Sequence, residues 1–131
     1  MGSPRSPMLD LYRDVLKSLN SHRVKYVVIG GVAAIVQGVP RTTLDLDILI
    51  EATERNAARL LAALVDVGFG TANMTTPERV ASNDITVFKD WLRVDVHTNP
   101  PGITFATAWK NRRRRREAGY SVNLLCPADL I

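Results

Sequence analysis

Apolar positions recur along the chain with two periods, one helical and one strand-like. Met8, Leu11, Tyr12, Val15, Leu16 and Leu19 repeat at helical spacing, with Ser6 as a cap and Pro7 in the first turn. This predicts a helix covering one face of a sheet. Tyr26-Val27-Val28-Ile29 reads as a strand, Gly30-Gly31 as a turn, and Val32 as the start of a second helix. Another apolar run, Leu44 to Ile50, carries Asp45 and Asp47 as a second strand. Thr53 caps a third helix with Ala57, Leu60, Leu61, Leu64 and Val67 on its buried side, and Gly68 ends it. Residues 83–88 and 91–97 read as strands joined by a tight hairpin at Lys89-Asp90, which makes the sheet mixed rather than wholly parallel. Asn99-Pro100-Pro101-Gly102 breaks the chain before a short helix over 104–111, and residues 121–125 form a last strand. The fold class is α/β of the α+β type, with helices flanking a mixed sheet and no internal repeat.

The second strand carries the chemistry. Side chains alternate along an extended backbone, so Asp45 and Asp47 share one face while Leu44, Leu46 and Ile48 take the other. Two carboxylates so close repel unless a cation lies between them, and hard oxygen ligands suit magnesium or manganese. Asp95, flanked by Val94 and Val96 in a strand pattern, is the third carboxylate, with Asp84 and Asp90 as alternatives. Gly30 and Gly31 let a phosphate approach the backbone at the start of a helix, whose unpaired amides favour an anion. Arg41 either neutralises a triphosphate or holds its loop in place, and Thr43 favours an extended backbone. His97 shares a strand face with Asp95 but is read as a satisfied strand residue, outside the catalytic set.

Ile29-Gly30-Gly31, then Asp45-Leu46-Asp47, then Asp95 resembles the signature of the DNA polymerase beta type nucleotidyltransferase superfamily. The finer wording, Gly-Gly-x-Ala-Ala with Gly-x-Pro-Arg-Thr-Thr-x-Asp-x-Asp, is similar to the small bacterial branch that includes abortive-infection toxins. The resemblance implies a nucleotidyltransferase fold with a mixed, mostly antiparallel sheet. It also implies catalysis by Asp45, Asp47 and Asp95 holding two Mg2+ or Mn2+ ions, with Gly30, Gly31 and Arg41 on the nucleotide's phosphates. In that branch, a phrase like residues 124–131 leads into a further basic helix. The chain is therefore read as a minimal or truncated member, or as one whose helix comes from elsewhere.

At 131 residues and 46% hydrophobic content the chain suits a single domain over 8–131, with residues 1–7 a disordered leader or cloning remnant. Neither a membrane span nor a signal peptide is legible, which predicts a cytoplasmic protein. The lone Cys126 excludes an intrachain disulfide and a cysteine zinc cluster. The net charge is +4, and Arg112, Arg113, Arg114, Arg115 and Arg116 run consecutively. Such a run is ordinarily a solvated face. Its functional reading is an electrostatic track for RNA, with Trp109 and Tyr120 beside it read as core. The acceptor is left open between RNA, a protein hydroxyl and a small molecule, with RNA first. A partner protein or antitoxin is a further expectation. A non-catalytic nucleotide- or RNA-binding module of a larger complex is the alternative, and a metal-dependent phosphodiesterase a third reading.

Overall fold

Tyr26 through Ile29 is apolar and buried at every position, which places β1 (Tyr26–Ile29) inside a six-stranded sheet. The computed structural model describes residues 11–30, 45–117 and 119–129. Within them α1 (Arg13–Ser21) precedes β1, and β2 (Asp45–Ile50) and α2 (Glu54–Asp66) follow. A 3₁₀ turn (Gly70–Met74) and α3 (Pro77–Ser82) then lead to the hairpin of β3 (Ile85–Lys89) and β4 (Arg93–His97). After α4 (Phe105–Asn111), the hairpin of β5 (Arg113–Glu117) and β6 (Tyr120–Leu124) ends in a 3₁₀ turn (Pro127–Asp129).

The strand order is β3-β4-β2-β1-β6-β5. Pairs β1/β2, β3/β4 and β5/β6 are antiparallel, whereas β2/β4 and β1/β6 are parallel. The sheet is mixed and mostly antiparallel, as expected. Alternation along the strands then sorts residues between two faces. Val28, Leu46, Ile48, Val94, Val96 and Val122 join Leu16 and Leu19 of α1 and Leu60 and Leu64 of α2 in the main core. Each of those leucines contributes about 1.5–3 kcal/mol by leaving water. Across the sheet, Val27, Ile29, Leu49 and Leu125 pack against Ala108 of α4, with Phe105 and Trp109 beside them. Asp45, Asp47, Asp95 and His97 on that second face are only partly buried, and Ile85 and Val87 are exposed.

Local polar contacts fix this arrangement. Thr53 accepts from the Asn56 amide as the expected cap of α2. The buried Asn56 side chain accepts from the Lys25 amide at 2.8 Å and donates to the Lys25 and Glu51 carbonyls, each at 3.0 Å. One side chain thereby ties the start of β1 to the end of β2. Ser18 donates to the Ala63 carbonyl at 2.7 Å, holding α1 on α2.

Several sequence expectations shift. Leu11, assigned to a buried helical face, is exposed and precedes the helix, while Tyr12 is fully buried. The strands at 83–88 and 91–97 start two residues later than expected, because Asn83 caps α3 and residues 90–92 form the hairpin turn. Helix α3 was not anticipated. It has Thr76 as cap, Pro77 in its first turn and one buried residue, Val80, too few to set a period. Ser6, Pro7, Met8 and the helix expected from Val32 lie outside the described residues. No described helix is long and apolar enough to cross a membrane.

Candidate functional site

Because β2 and β4 run parallel, their register places Asp47 opposite Asp95 and Asp45 opposite Arg93. Neighbouring strands lie about 4.8 Å apart, so three carboxylates share a small area of one face. Two side chains of β4 contact them. The Arg93 Nε donates to Asp95 Oδ1 at 2.9 Å and its Nη2 to Asp95 Oδ2 at 3.2 Å. The same Nε lies 3.8 Å from Asp45 Oδ2. His97 Nε2 lies 2.8 Å from Asp47 Oδ1. The Asp95 hydrogen bonds foremost, then the charges of Asp95, Asp45 and Asp47, hold the exposed Arg93 guanidinium more firmly protonated than usual.

Gly30 closes this cluster from β1. Ile29 pairs with Asp47, so the next residue meets the Asp47 side chain. With φ +72°, Gly30 occupies the left-handed region, and a Cβ there would stand 2.9 Å from Asp47 Oδ2 and 3.2 Å from Asp47 Cβ. Glycine is required twice, by backbone conformation and by the room Asp47 needs. Tyr12, the residue before α1, feels the same charges. Its phenol is pushed up to about 12, by burial foremost and then by Asp45, Asp47 and Asp95.

The sequence-predicted residues thus divide. Asp45, Asp47, Asp95 and Gly30 come together on one face. Gly31, Arg41 and Thr43 lie outside the described residues. The alternative Asp90 sits in the β3/β4 turn, accepting from Thr71 Oγ1 at 2.5 Å, and Asp84 precedes β3. Arg93 was not singled out from sequence, and His97 was set aside. The signal was nevertheless present, since Arg93, Asp95 and His97 alternate along β4 by the same period of two that paired Asp45 with Asp47.

The arginine run is divided by the fold. Arg112 caps α4, with its guanidinium 3.7 Å from the Trp109 ring centroid and its Nη1 donating to the Trp109 carbonyl at 2.7 Å. The other four form edge strand β5. Arg113 and Arg115 lie opposite Leu124 and Val122, while Arg114 and Arg116 lie opposite Asn123 and Ser121. Arg115 Nε also donates to the buried Glu117 at 2.7 Å. Strand alternation thus turns neighbouring arginines of β5 toward opposite faces.

Among the described residues, no group of three His, Cys, Asp or Glu side chains converges in the arrangement that holds a metal ion. Arg93 stands among the carboxylates and supplies the positive charge. The chemistry of the donors, three carboxylates facing one side, is that of ligands to a hard divalent cation, and Arg93 takes the place between two of them.

A mixed sheet with Asp-x-Asp on one strand, a third Asp on its parallel neighbour and a glycine turn beside them defines a nucleotidyltransferase-like protein. Residues 8–131 match the family described as nucleotidyl transferase of unknown function (DUF2204), and the chain belongs to that family. No curated protein matches the chain. Among solved structures, it is similar to the crystal structure of a provisionally assigned nucleotidyltransferase from Thermotoga maritima. That likeness has a TM-score of 0.62 at 19% identity and covers 92% of this chain and 78% of the other. At such identity it establishes the fold.

Proposed function

We propose that this chain is a metal-dependent nucleotidyltransferase, moving a nucleoside monophosphate from a nucleoside triphosphate to an acceptor hydroxyl. The observation that carries the proposal is the register of Asp47 with Asp95, with Asp45 on the same face and Gly30 beside them. Asp45, Asp47 and Asp95 would hold two magnesium or manganese ions. Bound there, such ions would stabilise charge on the α-phosphate and lower the pKa of the acceptor hydroxyl.

The chain's own residues do the rest. The acceptor oxygen attacks the α-phosphorus, the bond from that phosphorus to the bridging oxygen breaks, and pyrophosphate leaves. Asp95 is the candidate acceptor for the hydroxyl proton, and it takes that role once Arg93 releases it. Arg93 is then free to meet phosphate oxygens. His97 orients the Asp47 carboxylate. Gly30, with Gly31 and Arg41, holds the pyrophosphate side.

RNA is the acceptor we favour, on the net charge of +4. The motif wording shared with abortive-infection toxins extends the proposal to a cytoplasmic toxin or phage-defence component with an antitoxin partner. One observation favours a second reading, a non-catalytic nucleotide- or RNA-binding module, because Arg93 already pairs with two of the carboxylates.

Incubation with each radiolabelled nucleoside triphosphate, magnesium and bacterial RNA or protein separates the two. Label transferred by the wild type and absent with Asp45→Ala/Asp47→Ala supports the transferase and identifies its acceptor class. Nucleotide or RNA binding that persists in chelator, without transfer, supports the module.

A further inference from the structure

The end of the sheet away from the carboxylates is basic. Two depressions of about 440 and 260 Å³ open there and share Asn20 and Ser121, so they form one groove. Arg23, Lys25, Arg59 and Arg114 line the larger part, and Lys17 and Arg116 the smaller. Among the described residues only Lys25 of these six has a carboxylate partner, Glu51 at 3.5 Å. Six like charges around one groove repel each other, and a polyanion relieves that repulsion while releasing its counterions.

The groove floor is committed to the protein. Asn20 Nδ2 donates to the Ser121 carbonyl at 2.6 Å, Tyr26 Oη to Asn20 Oδ1 at 2.9 Å, and Asn123 Nδ2 to the Tyr26 carbonyl at 3.2 Å. Trp109, in the wall, is stacked on Phe105 and covered by Arg112. Few polar groups and no open aromatic platform remain to read bases, whereas mobile cations suit phosphates. The groove wraps the far end of the sheet, with Arg114, Arg116, Ser121 and Asn123 on the face that carries the carboxylates and Lys17 and Arg59 reaching it from the helices on the other face. Lys25 lies on the Ile29 side of β1, about 13 Å from it at roughly 3.3 Å per residue.

We propose that this groove binds the phosphodiester backbone of a single-stranded nucleic acid without regard to base sequence, holding an acceptor strand whose end reaches Asp45, Asp47 and Asp95. Only the placing of that end rests on the transferase reading. The six cations come from α1, the turn before β1, α2 and β5, so the groove takes only Arg114 and Arg116 from the consecutive arginine run.

The test is fluorescence anisotropy of labelled single strands of about 16 nucleotides, in chelator and without nucleotide, between about 50 and 200 mM salt. The log-log salt slope should approach about −4, at roughly −0.7 per phosphate contact. Arg59→Gln/Arg114→Gln should weaken binding roughly tenfold and flatten the slope by about 1.4, while Arg59→Lys/Arg114→Lys keeps the slope. Arg55→Gln/Arg79→Gln, an equal charge loss elsewhere, should change little. Uridine and adenosine oligomers should bind within about threefold of each other. RNA and DNA oligomers binding alike would assign recognition to the phosphates alone, and tighter RNA binding would name RNA as the occupant; both support the groove. Equal losses from the two glutamine pairs would overturn it, as would displacement of RNA by polyglutamate of matched charge. Groove-dependent binding by a protein that transfers no nucleotide would leave this proposal standing and remove the transferase reading.

Discussion

At one end of the second face, three carboxylates come from two adjacent strands, and the register of β2 with β4 brings them together. At the opposite end of the sheet, six cations arrive from four separate segments around Asn20 and Ser121. The acidic end is tight, with Arg93 and His97 in contact with its carboxylates. The basic end is open, and five of its six cations have no carboxylate partner among the described residues. A site that positions reacting atoms needs short fixed distances, whereas a surface that grips a flexible polyanion needs charge without rigid geometry.

The sharpest way to break this contrast is to remove one carboxylate. Asp47→Ala should lower nucleotidyl transfer by about a thousandfold or more, measured by label incorporation, while leaving RNA affinity within about twofold. Next in size is Gly30→Ala, which forces a side chain into a left-handed backbone and against Asp47. It should cost about 1–3 kcal/mol in urea unfolding and misplace Asp47, so transfer falls more than stability alone accounts for. Arg115→Met sharpens the comparison from within the arginine run. It leaves the buried Glu117 carboxylate without that partner and should cost about 2 kcal/mol, below the range for fully buried pairs because Arg115 is one-third exposed. Its effect on RNA binding should be small, unlike that of Arg114.

The smallest expected effect is a pH dependence. The Tyr12 phenol is raised from 10.0 to about 12 in the folded chain, so folding favours its neutral form. Its stabilising contribution is complete below pH 10 and is lost as pH rises toward 12, because the unfolded chain gives up that proton first. Tyr26, raised in the same direction mainly by burial, adds to this loss. Denaturant midpoints between pH 9 and 12 should fall for the wild type and less steeply for Tyr12→Phe.

The acidic end was legible because a period of two and a span of 25 residues, from Tyr26 to Ile50, carry most of it. Asp45, Asp47, Gly30 and the strand bearing Asp95 all follow from local pattern. Arg93 shares the strand face of Asp95 by the same period, but its contact with Asp45 follows only from the register of β2 with β4. The basic end was not legible. Lys17, Arg23 and Arg59 are scattered through a helix, a turn and another helix, and only packing of α1 and α2 onto the sheet brings them beside Arg114 and Arg116. Consecutive like charges suggested one surface, and strand alternation then divided them between two.

The central claim is a division of labour between the two ends, and steady-state kinetics with an RNA acceptor tests it most directly. Asp47→Ala should lower kcat with the KM for RNA nearly unchanged, while Arg59→Gln/Arg114→Gln should raise that KM roughly tenfold with kcat nearly unchanged. Both variants moving the same parameter, or a wild-type protein with no magnesium-dependent turnover on any acceptor, would contradict it.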